Sequence, residues 1–357
     1  MKKEKILKIL VYAAGVISLY VYVSVMIPGL FNFSLKEKVS DEQEDYRYGE
    51  LYYMSMIRHF REEGIPPHGP KYRYSEKQPS LEEADIYLFG DSFFDFTRPV
   101  SFPDLLADTL HKRVYFERGD RPLETLARNN FSNRKEKILI YESTERYIPF
   151  RFETPQPDTF DFSEKTGLWK KAAAIKTYVF ERDLEKYYKL FLQRNYVTTG
   201  LFSLVATIKF DAFKYISDIT PVYSLDRNIP WLFYFDQLND ENSSFYYQHS
   251  DKELNTYCNN IADLAEKLKE NYNLKLVFMG IPTKYTIYHT VLNDDPYNNL
   301  LPRLYAGLEE RGIPVISLYE DYVSSDALLY YGTDSHWTEA GLSIAIDNAV
   351  EVINRLN

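Results

Sequence analysis

Three residues, distant along the chain, are of the types that activate an oxygen nucleophile: Ser92, Asp334 and His336. Ser92 closes the triplet Gly90-Asp91-Ser92, directly after the apolar run Ile86-Tyr-Leu-Phe89. Such a run reads as a short buried strand, and open α/β sheets gather their ligands at the carboxyl ends of strands. A serine hydroxyl attacks poorly unaided. It needs a base within hydrogen-bond reach and a third group to orient that base. Asp334 and His336, two residues apart in Tyr331-Gly-Thr-Asp-Ser-His-Trp-Thr338, supply that pair just ahead of a helix-like segment. Alone, a Gly-Asp-Ser triplet is usually a turn, and Asp-x-His usually a pair that caps or packs a helix start. Their position at opposite ends of one α/β pattern favours a Ser92-His336-Asp334 triad.

The elements that must position these residues form an alternation. The predicted strands are 86–89, 113–116, 137–141, 274–279 and 313–318. The predicted helices are 102–111, 123–129, 251–271, 298–311 and 338–356. Strands alternating with helices imply a parallel sheet covered on both faces. With right-handed crossovers we expect a flavodoxin-like order, 2-1-3-4-5, which puts Ser92 beside the switch point. About 130 residues separate the third strand from the fourth, far beyond a normal crossover. Residues 151–250 therefore read as a helical insertion. Residues 182–216 are its helical part, and its aromatic end is Trp231–Phe235 with Phe245-Tyr-Tyr247. The insertion is either a lid with its own small core or a carbohydrate platform or docking surface.

Ahead of the domain, Lys2, Lys3, Lys5 and Lys8 precede an uncharged apolar run from Ile9 to Ile27. At ~1.5 Å per residue the run spans about 28 Å, close to the roughly 30 Å hydrocarbon core. The lysine bias, with Asp41, Glu42, Glu44 and Asp45 beyond the run, puts the N-terminus inside. No small-residue cleavage site is evident, so an uncleaved anchor is favoured over a signal peptide. The expected division is an anchor over 1–29, a stalk over 30–83 with a short helix at 50–60, and the α/β domain over 84–357. The large domain is expected outside the cytoplasm.

The 357 residues carry a net charge of −10, which argues against a nucleic-acid partner. Cys258 is the lone cysteine, and no Cys/His cluster has zinc spacing, so neither a disulfide nor a metal nor any cofactor is expected. High tyrosine content suits sugar stacking, and equally suits a core. His111, His249 and His289 have no carboxylate at a telling spacing and are read as structural; His59 and His68, in the stalk, are read as surface or structural.

Gly90-Asp91-Ser92 and Asp334-Ser-His336-Trp337 resemble the first and last blocks of the SGNH, or GDSL-type, hydrolase superfamily. Asp-x-His-Trp, followed by Thr338-Glu-Ala-Gly341, resembles the exported O-acetyltransferases of polysaccharide acetylation, such as those that modify alginate. Glu142-Ser-Thr-Glu145-Arg146 is similar to that branch's acidic-arginine pair. Ile281-Pro-Thr-Lys284-Tyr-Thr-Ile-Tyr288 is similar to its Pro-x-Lys and tyrosine. The resemblance covers 84–150 and 251–357. One departure is order: Asp-x-His follows the serine here, as in ordinary SGNH hydrolases and the membrane-anchored D-alanine transfer proteins. A second is the missing Gly-x-Asn of the third block. The oxyanion hole is then expected from the Ser92 backbone N–H with Gly119, or with Asn129 or Asn130. Asp91, Arg146, Lys284 and Trp337 are candidate substrate or supporting residues; for Arg146 and Lys284 salt bridging at the sheet edge is the other reading. The resemblance implies a membrane-anchored, extracytoplasmic O-acyltransferase acting on a cell-surface glycan, with acetyl the expected group and a multi-pass membrane acyltransferase as donor. A carbohydrate esterase with the same triad and a non-catalytic scaffold or glycan-binding subunit are the competing expectations.

Overall fold

The computed structural model describes residues 2–27, 30, 33, 57–62, 78–94, 101–160, 162, 188, 191, 195–196, 198–216, 222–224, 231–234, 237–239 and 241–356. The chain divides into two compact units. One comprises Met1–Asp45, Tyr53–Arg61 and Ser163–Ile216, the other Tyr46–Tyr52, Glu62–Phe162 and Ser217–Asn357.

In the first unit, α1 (Lys2–Met26) is a 25-residue helix. By length and composition its Glu4–Met26 stretch can cross a membrane. Most of its apolar side chains are exposed, while Val21, Ser24 and Val25 near its end are buried. The expected helix over 50–60 falls mostly outside the described residues; what is described is one 3-10 turn, Arg58–Phe60. Phe60 meets Phe210 edge-on, with centroids 5.0 Å apart. Phe210 lies on the helix Thr199–Phe213. Most of 182–198, His68 and the greater part of the expected stalk lie outside the described residues.

The second unit holds the sheet. Its strands are β1 (Ile86–Gly90), β2 (Val114–Arg118), β3 (Lys137–Thr144), β6 (Leu274–Ile281) and β7 (Val315–Ser317), in the order β2-β1-β3-β6-β7. Counted by sheet strands alone this is the expected 2-1-3-4-5, and every neighbouring pair is parallel. The remaining strands, β4 (Val222–Ser224) and β5 (Trp231–Phe233), form a separate antiparallel hairpin. Alternation along the central strands feeds two cores. Tyr87, Phe89, Leu139, Tyr141, Leu276 and Phe278 face one, Ile86, Leu88, Ile138, Ile140, Val277 and Met279 the other. Burial on both faces is why these strands read as unbroken apolar runs. The helix Asp251–Tyr272 covers the first face; it starts from a Ser250/Glu253 capping box and stops at Asn273, in the left-handed region with φ 53°. The helices Phe102–Leu110 and Glu339–Leu356 cover the second.

Two departures bear on function. β3 and β6 extend past their apolar runs, pairing Glu142, Ser143 and Thr144 with Met279, Gly280 and Ile281. The sheet thus carries buried polar residues to its carboxyl edge. The aromatic end of the expected helical insertion is instead the β4–β5 hairpin. Trp231, Phe233 and Phe245 are buried in one cluster with Tyr285, so their rings form core and not an open sugar platform.

Candidate active site

β1 ends at Gly90, where nothing larger fits: a Cβ would run into the Glu142 carboxyl group. The chain then turns, closed by the Phe94 N–H to the Asp91 carbonyl at 3.2 Å. Phe93 and Phe94 dock the turn into the core, and half-buried Ser92 is left facing the sheet edge. Phe93 also meets the His336 ring, at 5.1 Å between centroids, and Trp337 edge-on at 5.0 Å.

The Asp334–His336 block arrives on a tight antiparallel return. Tyr330 bridges to Trp337, the Tyr331 N–H donates to the His336 carbonyl, and the Thr338 N–H donates to the Leu329 carbonyl. Asp334 Oδ1 accepts from the His336 backbone N–H at 2.8 Å and lies 2.6 Å from His336 Nδ1. His336 Nε2 lies 2.8 Å from Ser92 Oγ. With Nδ1 protonated toward the carboxylate, Nε2 is left to accept the serine proton. Both Asp334 and His336 are buried, which shields this chain of hydrogen bonds from competing water.

The loop ahead of the block is held from three sides. Lys284, buried at the start of the short helix Lys284–Tyr288, donates from Nζ to the carbonyls of Tyr331 (3.2 Å), Gly332 (2.9 Å) and Asp334 (3.0 Å). Glu62 accepts the Gly332 and Thr333 N–H groups and the Thr333 hydroxyl. The Leu232 N–H of β5 donates to the Gly332 carbonyl at 2.8 Å. Lys284 thus clamps the loop through three of its carbonyls.

Asp91 points beneath the turn. Oδ1 accepts the Phe93 N–H, and Oδ2 accepts the Thr144 hydroxyl at 2.6 Å and lies 3.5 Å from Arg151 Nη2. Burial works against the Asp91 anion, yet Arg151, Thr144 and Phe93 outweigh it and hold the carboxyl below its usual range. Arg146 lies over the Tyr147 and Tyr234 rings, 4.7 and 4.9 Å from their centroids. Trp337 stacks on Phe102 and belongs to the core.

The expected oxyanion partners are placed elsewhere. The Gly119 N–H donates to the Gly90 carbonyl at 2.9 Å and so already has its acceptor. Asn129 ends the helix Pro122–Arg128 with its side chain on the Thr125 carbonyl, and Asn130 is exposed beside it. The Ser92 backbone N–H donates to no acceptor among the described residues, which leaves it available to a developing oxyanion. Sequence reasoning missed Glu62 and Arg151, and quoted Glu142 and Thr144 only within the stretch Glu142–Arg146, without the contacts they make to Asp91. Glu142 left a trace, as a charged residue abutting the Ile-Leu-Ile-Tyr run of a central strand.

A parallel sheet in this order, with a serine after its first strand hydrogen-bonded to a histidine before its last helix, is the arrangement of an SGNH hydrolase-like domain. Residues 229–356 match the family model of the SGNH hydrolase-like domain of the acetyltransferase AlgX, which supports that superfamily and its alginate-acetylation-like branch. The match takes in β5, β6, β7 and the Asp334–Trp337 block, less than half of the chain, and Ser92 lies outside it. An acetyltransferase-like function is thereby supported. No curated protein matches the chain.

Proposed function

We propose that the protein is a membrane-anchored, extracytoplasmic O-acyltransferase that moves an acyl group, acetyl in the first instance, onto a cell-surface glycan through an acyl-Ser92 intermediate. The observation that carries this reading is the Ser92–His336–Asp334 hydrogen-bond chain, with links of 2.8 and 2.6 Å, in a domain whose C-terminal part matches an acetyltransferase family.

Ser92 Oγ attacks the donor's carbonyl carbon while its proton passes to His336 Nε2. The tetrahedral oxyanion is met by the Ser92 N–H. Collapse breaks the bond to the donor's leaving group, which takes the proton from His336 and departs, leaving the acyl-serine. A sugar hydroxyl then attacks, gives its proton to His336, and leaves as the ester while Ser92 recovers its proton. Asp334 holds the imidazole tautomer and stabilises the imidazolium at both steps. The acyl donor outside the cytoplasm is a multi-pass membrane acyltransferase, since acetyl-CoA is not available there. In this reading α1 is the anchor, residues 30–83 link it to the domain, and the SGNH-like domain begins near residue 84. Neither a metal nor a cofactor has a step to perform.

The test is acetyl release from a small activated ester with and without a sugar oligomer. Release that accelerates with the oligomer, with ester appearing on the sugar, supports transfer. Release without sugar acetylation makes the protein an esterase. Equal turnover by Ser92→Ala overturns the acyl-serine.

A further inference from the structure

Beneath the turn that carries Ser92 lies an acid pair that the acyl-transfer steps do not consume. Glu142, on β3, is fully buried. Its Oε2 accepts the Asp91 N–H at 2.6 Å. Its Oε1 is buried with no hydrogen-bond partner. A second anion with an orphaned oxygen is untenable beside the Asp91 carboxylate in a dry site; a neutral acid is not. Burial first, and then the Asp91 charge, accordingly drive the Glu142 carboxyl well above its usual range.

The surroundings hold this pair in one arrangement. Arg151, from the helix Ile148–Phe152, donates to the Glu142 carbonyl at 3.0 Å and reaches Asp91, while Asp120 and Tyr141 flank that guanidinium. On the neighbouring strand Glu142 pairs with Met279, which brings no charge. On the β1 side the carboxyl group fills the space a Gly90 side chain would need. Every bond Glu142 makes to the turn falls on the residue immediately before the serine.

We propose that Glu142 is a positioning residue: as a carboxylic acid bonded to Asp91, it clamps the Gly90-Asp91-Ser92 turn so that the Ser92 N–H and Oγ stay aligned for acyl transfer. The inference rests on the acyl-Ser92 reading, and Glu142 never touches the substrate. The Asp91 N–H donates to the Glu142 carboxyl group, and the Asp91 carboxylate accepts the Thr144 hydroxyl, so the turn is tied to β3 through both carboxyl groups. Ionising Glu142 would place two anions in contact and push the turn off β3.

The experiment measures kcat, KM and pH profiles on the small ester for the full chain and for Glu142→Ala, Glu142→Gln and Ser92→Ala. Glutamine keeps an acceptor for the Asp91 N–H and a donor toward its carboxylate, and it cannot ionise. Glu142→Ala is expected to lower kcat about 10²- to 10³-fold, the usual cost of losing one aligned oxyanion donor, with KM within about threefold. Glu142→Gln is expected to recover most of kcat and to lose the alkaline limb of the native profile. A Glu142→Ala kcat within threefold of native overturns the proposal, and so does a Glu142→Gln profile that keeps the native alkaline limb. If Glu142→Ala fails to fold, the Glu142→Gln profile decides. Turnover that survives Ser92→Ala instead sinks the acyl-serine reading, whatever Glu142 does.

Discussion

Lys284→Met isolates the clamp on the loop that delivers Asp334 and His336. Methionine keeps much of the stem, so the cavity left is small and the loss is chiefly polar, including the ammonium's place 5.5 Å from the Phe233 ring centroid. The ammonium serves three carbonyls, those of Tyr331, Gly332 and Asp334. The substitution removes three hydrogen bonds from the ammonium, while Gly332 retains a second donor in the Leu232 N–H. A hydrogen bond from a charged donor contributes about 1.5–3 kcal/mol, and the three here share one donor and one loop and do not add fully. We therefore expect roughly 3 kcal/mol of local destabilisation, or on the order of a hundredfold in the opening equilibrium. Amide hydrogen exchange over 329–338 on the full chain reads this directly. Protection of the Tyr331 and Thr338 amides, both bonded across the return, should fall by about that factor, and kcat should fall with it as His336 loses its fixed distance to Ser92. Lys284→Arg should not rescue, because a planar fork cannot aim at three convergent carbonyls. Exchange over 329–338 within threefold of native in Lys284→Met would refute the clamp.

Ser92→Ala and His336→Ala should each cost nearly as much activity as the double change, up to about 10⁶-fold, with Asp334→Asn milder; additive losses would show that the two do not act as a unit. Gly90→Ala should destabilise the domain by about 1–3 kcal/mol and depress kcat, because the new methyl meets the Glu142 carboxyl; unchanged thermal unfolding would contradict the close approach. Native Glu142 keeps a proton that the unfolded chain releases near the ordinary 4.5, so the folded state binds more protons above that pH and stability falls as pH rises. Glu142→Gln should flatten this slope, which denaturant titrations from pH 5 to 9 will show. External protease on intact spheroplasts should digest the chain beyond α1 and spare its N-terminal end; full protection would invert the orientation.

How much of this was legible in the sequence depends on where each residue's partners lie. The five sheet strands were legible because burial on both faces leaves an apolar run that needs no context. The helices were legible from periodicity, with ends blurred by a residue or two. Ser92, Asp334 and His336 were legible as types at strand and helix junctions, although 244 positions separate the serine from the histidine. The last turn of β3 was not. Glu142, Ser143 and Thr144 look like loop because their strand character comes from backbone pairing with β6, and the buried Glu142 carboxyl group finds its partner in the Asp91 N–H, 51 positions away. The hairpin was missed for a related reason: its aromatic residues suit a helix, a strand or a sugar platform, and only the cluster with Tyr285 decides.

Lys284, Glu62 and Arg151 follow the same rule. Each is an ordinary charged residue in the sequence, and each is given its role by backbone groups or carboxylates brought to it by the fold. The apolar code therefore places the serine and the histidine at the same sheet edge. Holding their 2.8 Å contact falls to buried polar groups whose meaning is tertiary. This division explains why the chemistry of the site was readable while its support was not. It also locates the sensitive substitutions at Glu142 and Lys284, where a side chain that never meets the substrate fixes the atoms that do.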